Sequence, residues 1–361
     1  MSLSVLGPGA TIGIVGGGQL GRMLAMAAAR LGFRTIVLDP DRHCPAAQTA
    51  GETIAAAFDD PVALIKLARR ADVVTYEFEN VPVAPMRRAG QDVPVYPPVD
   101  ALEIAQDRVT EKAFLNGIGL TTAPWRAIDD PQELDHALQD LDGPCILKAR
   151  RFGYDGKGQV AIDRSGDHGN AFAQLGGVPS ILEKRIAFVR ELSVVAARSP
   201  TGEIASFDPA ENVHRGGILR TSTVPGSISP TTAAAARKIA ATILERLSYV
   251  GVIGVELFET ADGHLLVNEI APRVHNSGHW TEAACTVSQF EQHIRAIAGL
   301  PLGSTARHSD CVMENLIGDE ATTAFAFLAE SHLMLHLYGK GDVRPGRKMG
   351  HLTRLTGPAG T

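Results

Sequence analysis

The sequence predicts an α/β fold in which a parallel sheet near the N-terminus is followed by a mixed or antiparallel one. Over the first hundred residues, short apolar strands alternate with helices, as at residues 11–15, 20–31 and 33–38. That alternation is typical of a parallel sheet covered on both faces. From Pro144 onward, strand-like runs follow one another through glycine turns. This second pattern is typical of antiparallel pairing.

The order of the predicted elements also indicates where domains begin and end. The N-terminal unit continues with a helix over residues 61–70 and a strand over 71–76, and it closes near the proline-rich segment 93–98. Single helices are expected over 101–116 and 231–247. The predicted domains span residues 1–106, 107–190 and 191–361.

Composition excludes several classes of function. The chain has 361 residues, 45% hydrophobic and 20% charged, as is usual for a soluble globular protein. Only 5% are aromatic and the net charge is −6, which argues against a nucleic-acid partner. The four cysteines form no CxxC pair, and no apolar run reaches 18 residues. We therefore expect a cytoplasmic protein with no disulfide framework, structural zinc site or membrane partner.

A glycine-rich turn follows the first predicted strand. Residues 16–21 (GGGQLG) fit G-x-G-x-x-G, and Asp39 ends the next strand, near the position of a ribose-binding acid. The pattern predicts a Rossmann-like domain and, taken alone, suggests NAD. Its physical content is narrower, because backbone N–H groups at a helix N-terminus attract any anion. A phosphorylated ligand of another kind, or a tight turn without a ligand, would fit equally.

An acidic pair is predicted on a hairpin over residues 250–270. Asp262-Gly263 is a two-residue turn signal, and counting outward from it places Glu256 opposite Glu269 on the same face. Two facing carboxylates repel each other, and magnesium would relieve that repulsion. Asn268 would join them only if a bulge turned it to their face. The alternative is a solvated acidic face with shifted register, but the apolar strands favour a metal.

A second glycine-rich loop lies beside a lysine inside an apolar strand. Lys148 would be costly there unless it met an anion, and residues 153–158 could fold over phosphates through their backbone N–H groups. The spacing is not that of a Walker A loop. An ordinary glycine turn is the alternative. Glu183 and Glu191, in the next strands, would either accept hydrogen bonds from a nucleotide or pair with arginines.

These features together resemble a known family. The motifs that carry the resemblance run along nearly the whole chain: GIVGGGQLGRM, YEFENVP, QDRVTEK, LKARRFGYDGKGQ, FVRELSV, AENVHRGGILRTS, VELF with LLVNEIAPRVHNSGHWT, and RPGRKMGHL. They resemble the ATP-grasp enzymes, and among these the 5-(carboxyamino)imidazole ribonucleotide synthases of purine biosynthesis. The resemblance implies a pre-ATP-grasp domain followed by an ATP-grasp fold with a glycine-rich lid. It implies ATP, magnesium, bicarbonate and aminoimidazole ribonucleotide as ligands, and a homodimer.

The resemblance also implies roles for individual residues. The implied ATP contacts are Arg108, Lys148, Gly153, Tyr154, Asp155, Gly156, Lys157, Gly158, Glu183, Lys184, Arg185, Ile186, Glu191, His214, Asn268 and Glu269. The implied metal ligands are Glu256, Glu269 and Asn268. The implied ribonucleotide and bicarbonate contacts are Gly18, Gln19, Leu20, Glu77, Tyr154, Asp155, Arg273, His275, Lys340, Arg347 and Lys348. The expected catalytic residues are Asp155, His275, Arg273 and Lys348, with Asp155 and His275 as acid–base candidates.

One loop position departs from the family pattern, and one pair of histidines invites another interpretation. Phe152 stands where the family most often has glycine, which we expect to stiffen the lid. His275 and His279 have the i, i+4 spacing of a zinc pair on a helix, but the residues between them favour no helix and include no glutamate.

Three other functions remain open from the sequence. One is a different ATP-grasp ligase, such as a formate-using glycinamide ribonucleotide transformylase or a biotin carboxylase. Another is an NAD-dependent dehydrogenase, which leaves the acidic pair unexplained. The last is a nucleotide-binding regulator without turnover. In the expected reaction, ATP activates bicarbonate to carboxyphosphate, and the carboxyl group is transferred to the exocyclic amine of the ribonucleotide.

Overall fold

The structure is a computed structural model that describes residues 5–153, 157–163 and 170–359. The N-terminal part carries a four-stranded sheet of parallel strands in the order β3-β2-β1-β4. Its elements are β1 (Thr11–Val15), α1 (Gln19–Arg30), β2 (Arg34–Asp39), β3 (Glu52–Ala55), α2 (Pro61–Ala68), β4 (Val73–Tyr76), α3 (Val83–Ala89) and α4 (Val99–Ala105). The predicted parallel sheet is confirmed.

The middle part carries a four-stranded antiparallel sheet in the order β5-β8-β6-β7. Its elements are α5 (Arg108–Gly117), β5 (Trp125–Ile128), α6 (Gln132–Leu141), β6 (Cys145–Ala149), β7 (Gln159–Ile162), α7 (Ala171–Gln174) and β8 (Ser180–Lys184). The prediction of a single helix over 101–116 is wrong, because the helix is interrupted at residues 106–107 and a second helix begins at Arg108. The Asp107 carboxylate accepts hydrogen bonds from the N–H groups of Val109 and Thr110 and so begins a new helix.

The third part is built on an antiparallel sheet in the order β14-β13-β9-β11-β12-β15-β17-β16, with β10 paired to β9. Its elements are β9 (Phe188–Arg198), β10 (Ile204–Ser206), β11 (Ala210–Arg215), β12 (Ile218–Val224), α8 (Pro230–Arg246), β13 (Gly251–Thr260), β14 (Leu265–Ala271), α9 (Thr281–Ala284), α10 (Gln289–Ile297), β15 (Ser309–Ile317), β16 (Leu333–Leu337) and β17 (Lys348–Pro358). Short 3-10 helices lie at Pro45–Gln48, Asn276–Gly278 and Gly318–Ala329.

Strand β9 shows how this sheet divides two cores. Val194 belongs to the apolar cluster that contains residues of α8, whereas its neighbour Val195 belongs to the cluster that contains residues of α10. This is the alternation of side chains expected of a strand buried on both faces. Helix α10 packs against α1 as well. The large sheet and the N-terminal sheet are therefore joined through one continuous core.

None of the helices in the described ranges combines the length and the apolarity that crossing a bilayer requires.

Candidate functional site

All three parts of the chain contribute to one cleft of about 580 Å³. The predicted site residues that line it are Gln19, Leu20, Glu77, Arg108, Lys148, Gly153, Glu191, His214, Glu256, Asn268, Glu269, Arg273, His275 and Lys348. Residues far apart in the chain thus meet around a single space, in a position where a nucleotide and a second substrate could lie together.

Other predicted site residues do not line the cleft. Among the residues the structure describes, these are Gly18, Lys157, Gly158, Glu183, Lys184, Arg185, Ile186, Lys340 and Arg347. The ammonium group of Lys340 donates to the carbonyl of Lys348 at 2.7 Å, so it supports a residue that does reach the cleft. Tyr154, Asp155 and Gly156 lie outside the described residues.

The acidic pair lies on β13 and β14, where Glu256 is paired directly with Glu269. The predicted pairing is confirmed, but the predicted two-residue turn is wrong. Thr260 pairs through its N–H with the carbonyl of His264, which leaves a three-residue loop ending at Gly263 with φ of +83°. A β-bulge beside Glu256 restores the register.

The same bulge places Asn268 on the face of the acidic pair. Because it puts one extra residue into β14, Asn268 escapes the strict alternation of side chains. Its amide lies 3.5 Å from Glu256 Oε2. Three oxygen-bearing side chains, Glu256, Asn268 and Glu269, therefore line one wall of the cleft.

The two carboxylates of this wall have different electrostatic surroundings. Burial, followed by the charge of Glu269, raises the pKa of Glu256 to about 7. Glu269 lies 3.3 Å from Arg108 and so has a cationic partner. Nearby, burial would lower the pKa of His214, but its hydrogen bond to Glu191 and the charge of Glu256 raise it. The two carboxylates of this wall therefore differ, because Glu269 has a cationic partner whereas Glu256 is buried beside a like charge.

Lys148 projects from β6 and forms an ion pair with Glu183 on β8, with 3.1 Å between Nζ and Oε2. Lys112, a buried residue of α5, lies 3.5 Å from the same carboxylate and donates to the carbonyl of Asn268 at 2.6 Å. Burial would raise the pKa of Glu183, but these two lysines hold it at about 2. Glu183 therefore orients Lys148 from behind the cleft wall.

The glycine turn that begins α1 is already bound to the protein's own carboxylates. The N–H of Gly17 donates to Asp39 at 2.8 Å, and those of Gly18 and Gly21 donate to Glu77 at 2.5 and 2.7 Å. A Cβ on Gly18 would lie 2.6 Å from Glu77 Oε1. Since these N–H groups have internal acceptors, the turn does not offer them to a dinucleotide phosphate.

His275 is held rigidly at the base of the cleft. Gln289 accepts from its N–H at 2.8 Å and donates to its carbonyl at 2.7 Å, and Ser277 lies 2.8 Å from Nδ1. Burial, together with Arg273 and Lys348, lowers the pKa of His275 to about 3. The imidazole is therefore neutral near pH 7, with Nε2 3.5 Å from Glu256. Since residues 276–278 form a 3-10 helix, His275 and His279 do not have the helical spacing of a zinc pair.

Several residues of the site were missed by sequence reasoning. Lys112 is the last residue of the motif QDRVTEK, but the motif alone does not indicate that this lysine is buried. Gln289 carried no signal, because its partner is a backbone segment 14 residues away. Glu79, whose carboxylate lies 2.5 Å from Arg273, stands in the quoted motif YEFENVP but was given no role.

The glycine lid has one strained position among its described residues. Phe152 adopts φ of +63°, in the left-handed region that favours glycine, and its side chain is 71% exposed. The departure from the family pattern thus falls where the backbone conformation itself favours glycine. Gly158, at the other end of the loop, has φ of +71°.

Family models cover most of the chain. The ribonucleotide synthetase preATP-grasp domain matches residues 9–106, the ATP-grasp domain matches 113–290, and the phosphoribosylaminoimidazole carboxylase C-terminal domain matches 311–358. The N5-carboxyaminoimidazole ribonucleotide synthase of Brucella melitensis is 60% identical, over 98% of this chain and 99% of its own. The chain belongs to this family. The Bacillus subtilis N5-carboxyaminoimidazole ribonucleotide synthase is 42% identical, over 99% of this chain and 94% of its own.

Solved structures of N5-carboxyaminoimidazole ribonucleotide synthases share the fold. An ADP complex superimposes with a TM-score of 0.95 at 41% identity, covering 99% of this chain and 94% of the other. The Aspergillus clavatus enzyme, in complex with ADP and 5-aminoimidazole ribonucleotide, gives a TM-score of 0.91 at 32% identity, covering 96% and 94%. This chain is accordingly an ATP-grasp ligase, and the dehydrogenase interpretation is not favoured.

Proposed function

We propose that this enzyme uses ATP and bicarbonate to carboxylate the exocyclic amine of 5-aminoimidazole ribonucleotide. The products are N5-carboxyaminoimidazole ribonucleotide, ADP and phosphate. The observation that carries the proposal is the single cleft, which is lined by the acidic wall, by Lys148 and Arg108, and by Arg273, His275 and Lys348. A relative with the same fold binds ADP and the ribonucleotide together.

The nucleotide would bind along the wall formed by the middle and third parts of the chain. Arg108 and Lys148 lie there with their guanidinium and ammonium groups held by Glu269 and Glu183, respectively. Cations held in place before the reaction stabilise the charge that develops on a transferred phosphoryl group without reorganising. Glu191 and His214 provide further polar contacts on the same wall.

The acidic wall fits a magnesium ion. Glu256, Glu269 and Asn268 supply the oxygen donors that this ion prefers, and the two carboxylates are paired directly across the strands. When bound, magnesium neutralises phosphate charge and orients the phosphoryl group for transfer. We assign these three residues as the ligands.

The ribonucleotide would occupy the opposite end of the cleft. Arg273 and Lys348 provide positive charge there, while Glu77, Gln19 and Leu20 come from the N-terminal part. Lys340 donates to the carbonyl of Lys348, and Arg347 precedes Lys348 in the basic segment of the tail. A phosphorylated substrate would be bound by this basic end, and its amine would point toward the centre of the cleft.

The chemistry then proceeds in two displacements. A bicarbonate oxygen attacks the γ-phosphorus of ATP, ADP leaves, and carboxyphosphate forms. The amine attacks the carboxyl carbon, phosphate leaves, and the amine loses a proton. Neutral His275 can accept that proton, and Asp155 is the other candidate. A closed lid would protect carboxyphosphate from water. Near-normal turnover in both Asp155→Asn and His275→Ala would show that this acid–base assignment is wrong.

The decisive assay measures ADP release as bicarbonate and the ribonucleotide are omitted in turn. We expect full turnover only when both are present. Lys348→Gln should raise KM for the ribonucleotide at least about tenfold with little change in KM for ATP, since the loss of one ion pair to phosphate corresponds to roughly 1.5–3 kcal/mol. Lys238→Gln, on the exposed face of α8, is the matched control. ADP release that ignored the ribonucleotide but followed formate or biotin would overturn the proposal.

The predicted homodimer and cytoplasmic location remain predictions. Light scattering of the purified protein would measure the dimer directly, and a monomeric mass at assay concentrations would contradict it.

A further inference from the structure

A second cluster of ligand-type side chains lies apart from the residues that line the cleft. It joins Glu282 of α9 to His336 of β16 and His351 of β17. The two histidines face each other as a cross-strand pair, and both are buried. Their potential ligand atoms and a Glu282 oxygen all lie within 4.8 Å of one another.

The distances within this cluster are longer than hydrogen bonds between charged groups. Glu282 Oε2 lies 3.3 Å from Nδ1 of His336 and 3.5 Å from Nε2 of His351. A charge-assisted N–H···O bond is about 2.7–2.9 Å long. In a tetrahedral zinc site with bonds of about 2.0–2.2 Å, neighbouring ligand atoms are about 3.3–3.5 Å apart. The observed spacing matches two atoms that share a metal.

One buried polar atom of this cluster has no hydrogen-bond partner, and a second such atom belongs to a neighbouring histidine. One is Oε2 of Glu282, the atom that faces both imidazoles, and the other is Nε2 of His279. His279 is fully buried, and its ring lies 4.7 Å from that of His351. Burying a carboxylate oxygen without a partner is unfavourable, and a cation at this point would remove the penalty.

The surroundings resemble the outer shell of a metal site. The hydroxyl of Tyr338 lies 2.9 Å from Nδ1 of His351, so His351 can donate that proton and leave Nε2 as a lone-pair ligand. Gln289 lies 3.1 Å from Nδ1 of His279. These contacts orient both imidazoles, so that Nε2 of His351 faces Glu282 Oε2 and Nε2 of His279 has no hydrogen-bond partner.

We propose that Glu282, His336 and His351 bind a zinc-type divalent cation, separate from the magnesium wall. The ion would fasten the C-terminal strands to the segment that follows His275. Because β17 begins at Lys348, the same ion would help to hold that lysine at the cleft. Its role would be positional, and it would take no part in carboxyl transfer.

The test measures metal content and cobalt spectroscopy on the full-length protein without an affinity tag. After chelation and dialysis, we expect one equivalent of Zn²⁺ to rebind, and Co²⁺ to give the intense visible bands of a tetrahedral site. His336→Gln and Glu282→Gln should abolish both signals, whereas Glu269→Gln, which changes the magnesium wall, should leave both unchanged. Zn²⁺ should also raise the melting temperature of wild type and not that of His336→Gln.

The wild-type protein alone can overturn the proposal, whether or not the variants fold. Less than about a tenth of an equivalent of Zn²⁺, with no tetrahedral Co²⁺ spectrum, would show that the cluster is only a hydrogen-bonded network. Cobalt bands that persist in Glu282→Gln, or a thiolate charge-transfer band, would place the ion elsewhere and contradict the assignment.

Discussion

Glu77 and Glu256 both line the cleft, yet the fold surrounds them differently. Burial raises the pKa of the Glu77 carboxyl, but this carboxylate accepts hydrogen bonds from two N–H groups at the start of α1, which act in the opposite direction. Glu256 faces Glu269, and its pKa is raised to about 7 by burial and by that charge. The hydrogen bonds of Glu77 stabilise the start of α1, whereas Glu256 faces a second carboxylate, and a bound cation would relieve their repulsion. Two glutamates that line the same cleft therefore differ in whether the fold itself supplies donors to the carboxylate.

Removing charge from the acidic wall should have the largest effect. We expect Glu269→Gln and Glu256→Gln each to reduce magnesium-dependent ADP release by at least about 100-fold, because each removes a carboxylate ligand from the ion that would neutralise the transferred phosphoryl group. Steady-state ADP release at saturating Mg²⁺ checks this, with circular dichroism as the test of folding. Exposed Glu203→Gln is the control. Turnover within threefold of wild type in both variants would refute the role of the wall.

The same kind of substitution at Glu77 should act on stability. Glu77→Gln leaves one of the two helix N–H groups without a carboxylate acceptor, which should lower the free energy of unfolding by about 1.5–3 kcal/mol. Glu256→Gln, measured without magnesium, should leave it unchanged or raise it, because one repelling charge is lost. Urea denaturation of both variants measures the sign of each change in the free energy of unfolding. If Glu77→Gln and Glu256→Gln destabilised the protein equally, the two glutamates would not differ in the way described.

The pH dependence of stability should separate Glu256 from carboxylates whose pKa is lowered, such as Glu183. Its pKa is about 7 in the folded chain and near 4.5 unfolded, so the folded state binds more protons between these values. Its contribution to stability therefore falls as pH rises from about 4.5 to 7 and stays low above that. Over this interval, the unfolding free energy of Glu256→Gln should rise relative to that of wild type, by at least on the order of 1 kcal/mol. At pH 8, added Mg²⁺ should reduce this difference. A pH-independent difference would contradict the raised pKa.

The smallest effect concerns the lid beside the acidic wall. Phe152 has φ of +63°, so Phe152→Gly should relieve backbone strain that Phe152→Ala retains. Because glycine also gains freedom in the unfolded chain, we expect the glycine variant to be only about 1 kcal/mol more stable than the alanine variant. Urea denaturation of the two proteins measures this difference. An alanine variant of equal or greater stability would show that the backbone there is unstrained.

Local patterns carried much of the correct prediction. The alternation of strands and helices identified the parallel sheet, and apolar strands around a turn signal placed Glu256 opposite Glu269. Even there, two local errors cancelled, because the three-residue loop shifts the register by one residue and the bulge shifts it back. A turn signal specifies that a hairpin forms, whereas its loop length depends on packing along the whole strand.

Local sequence determined the strands, most helices, the glycine turn and the motifs that indicate the family, because these depend on residues close together in the chain. Only the tertiary structure decided what those residues contact. Asp39 and Glu77, at the ends of strands on either side of β1, accept hydrogen bonds from the N–H groups of the glycine turn. Lys112 forms an ion pair with Glu183, 71 residues away in the chain, and Glu282 lies beside His336 and His351. Such pairings depend on which strands lie side by side, and spacing along the chain carries no record of that.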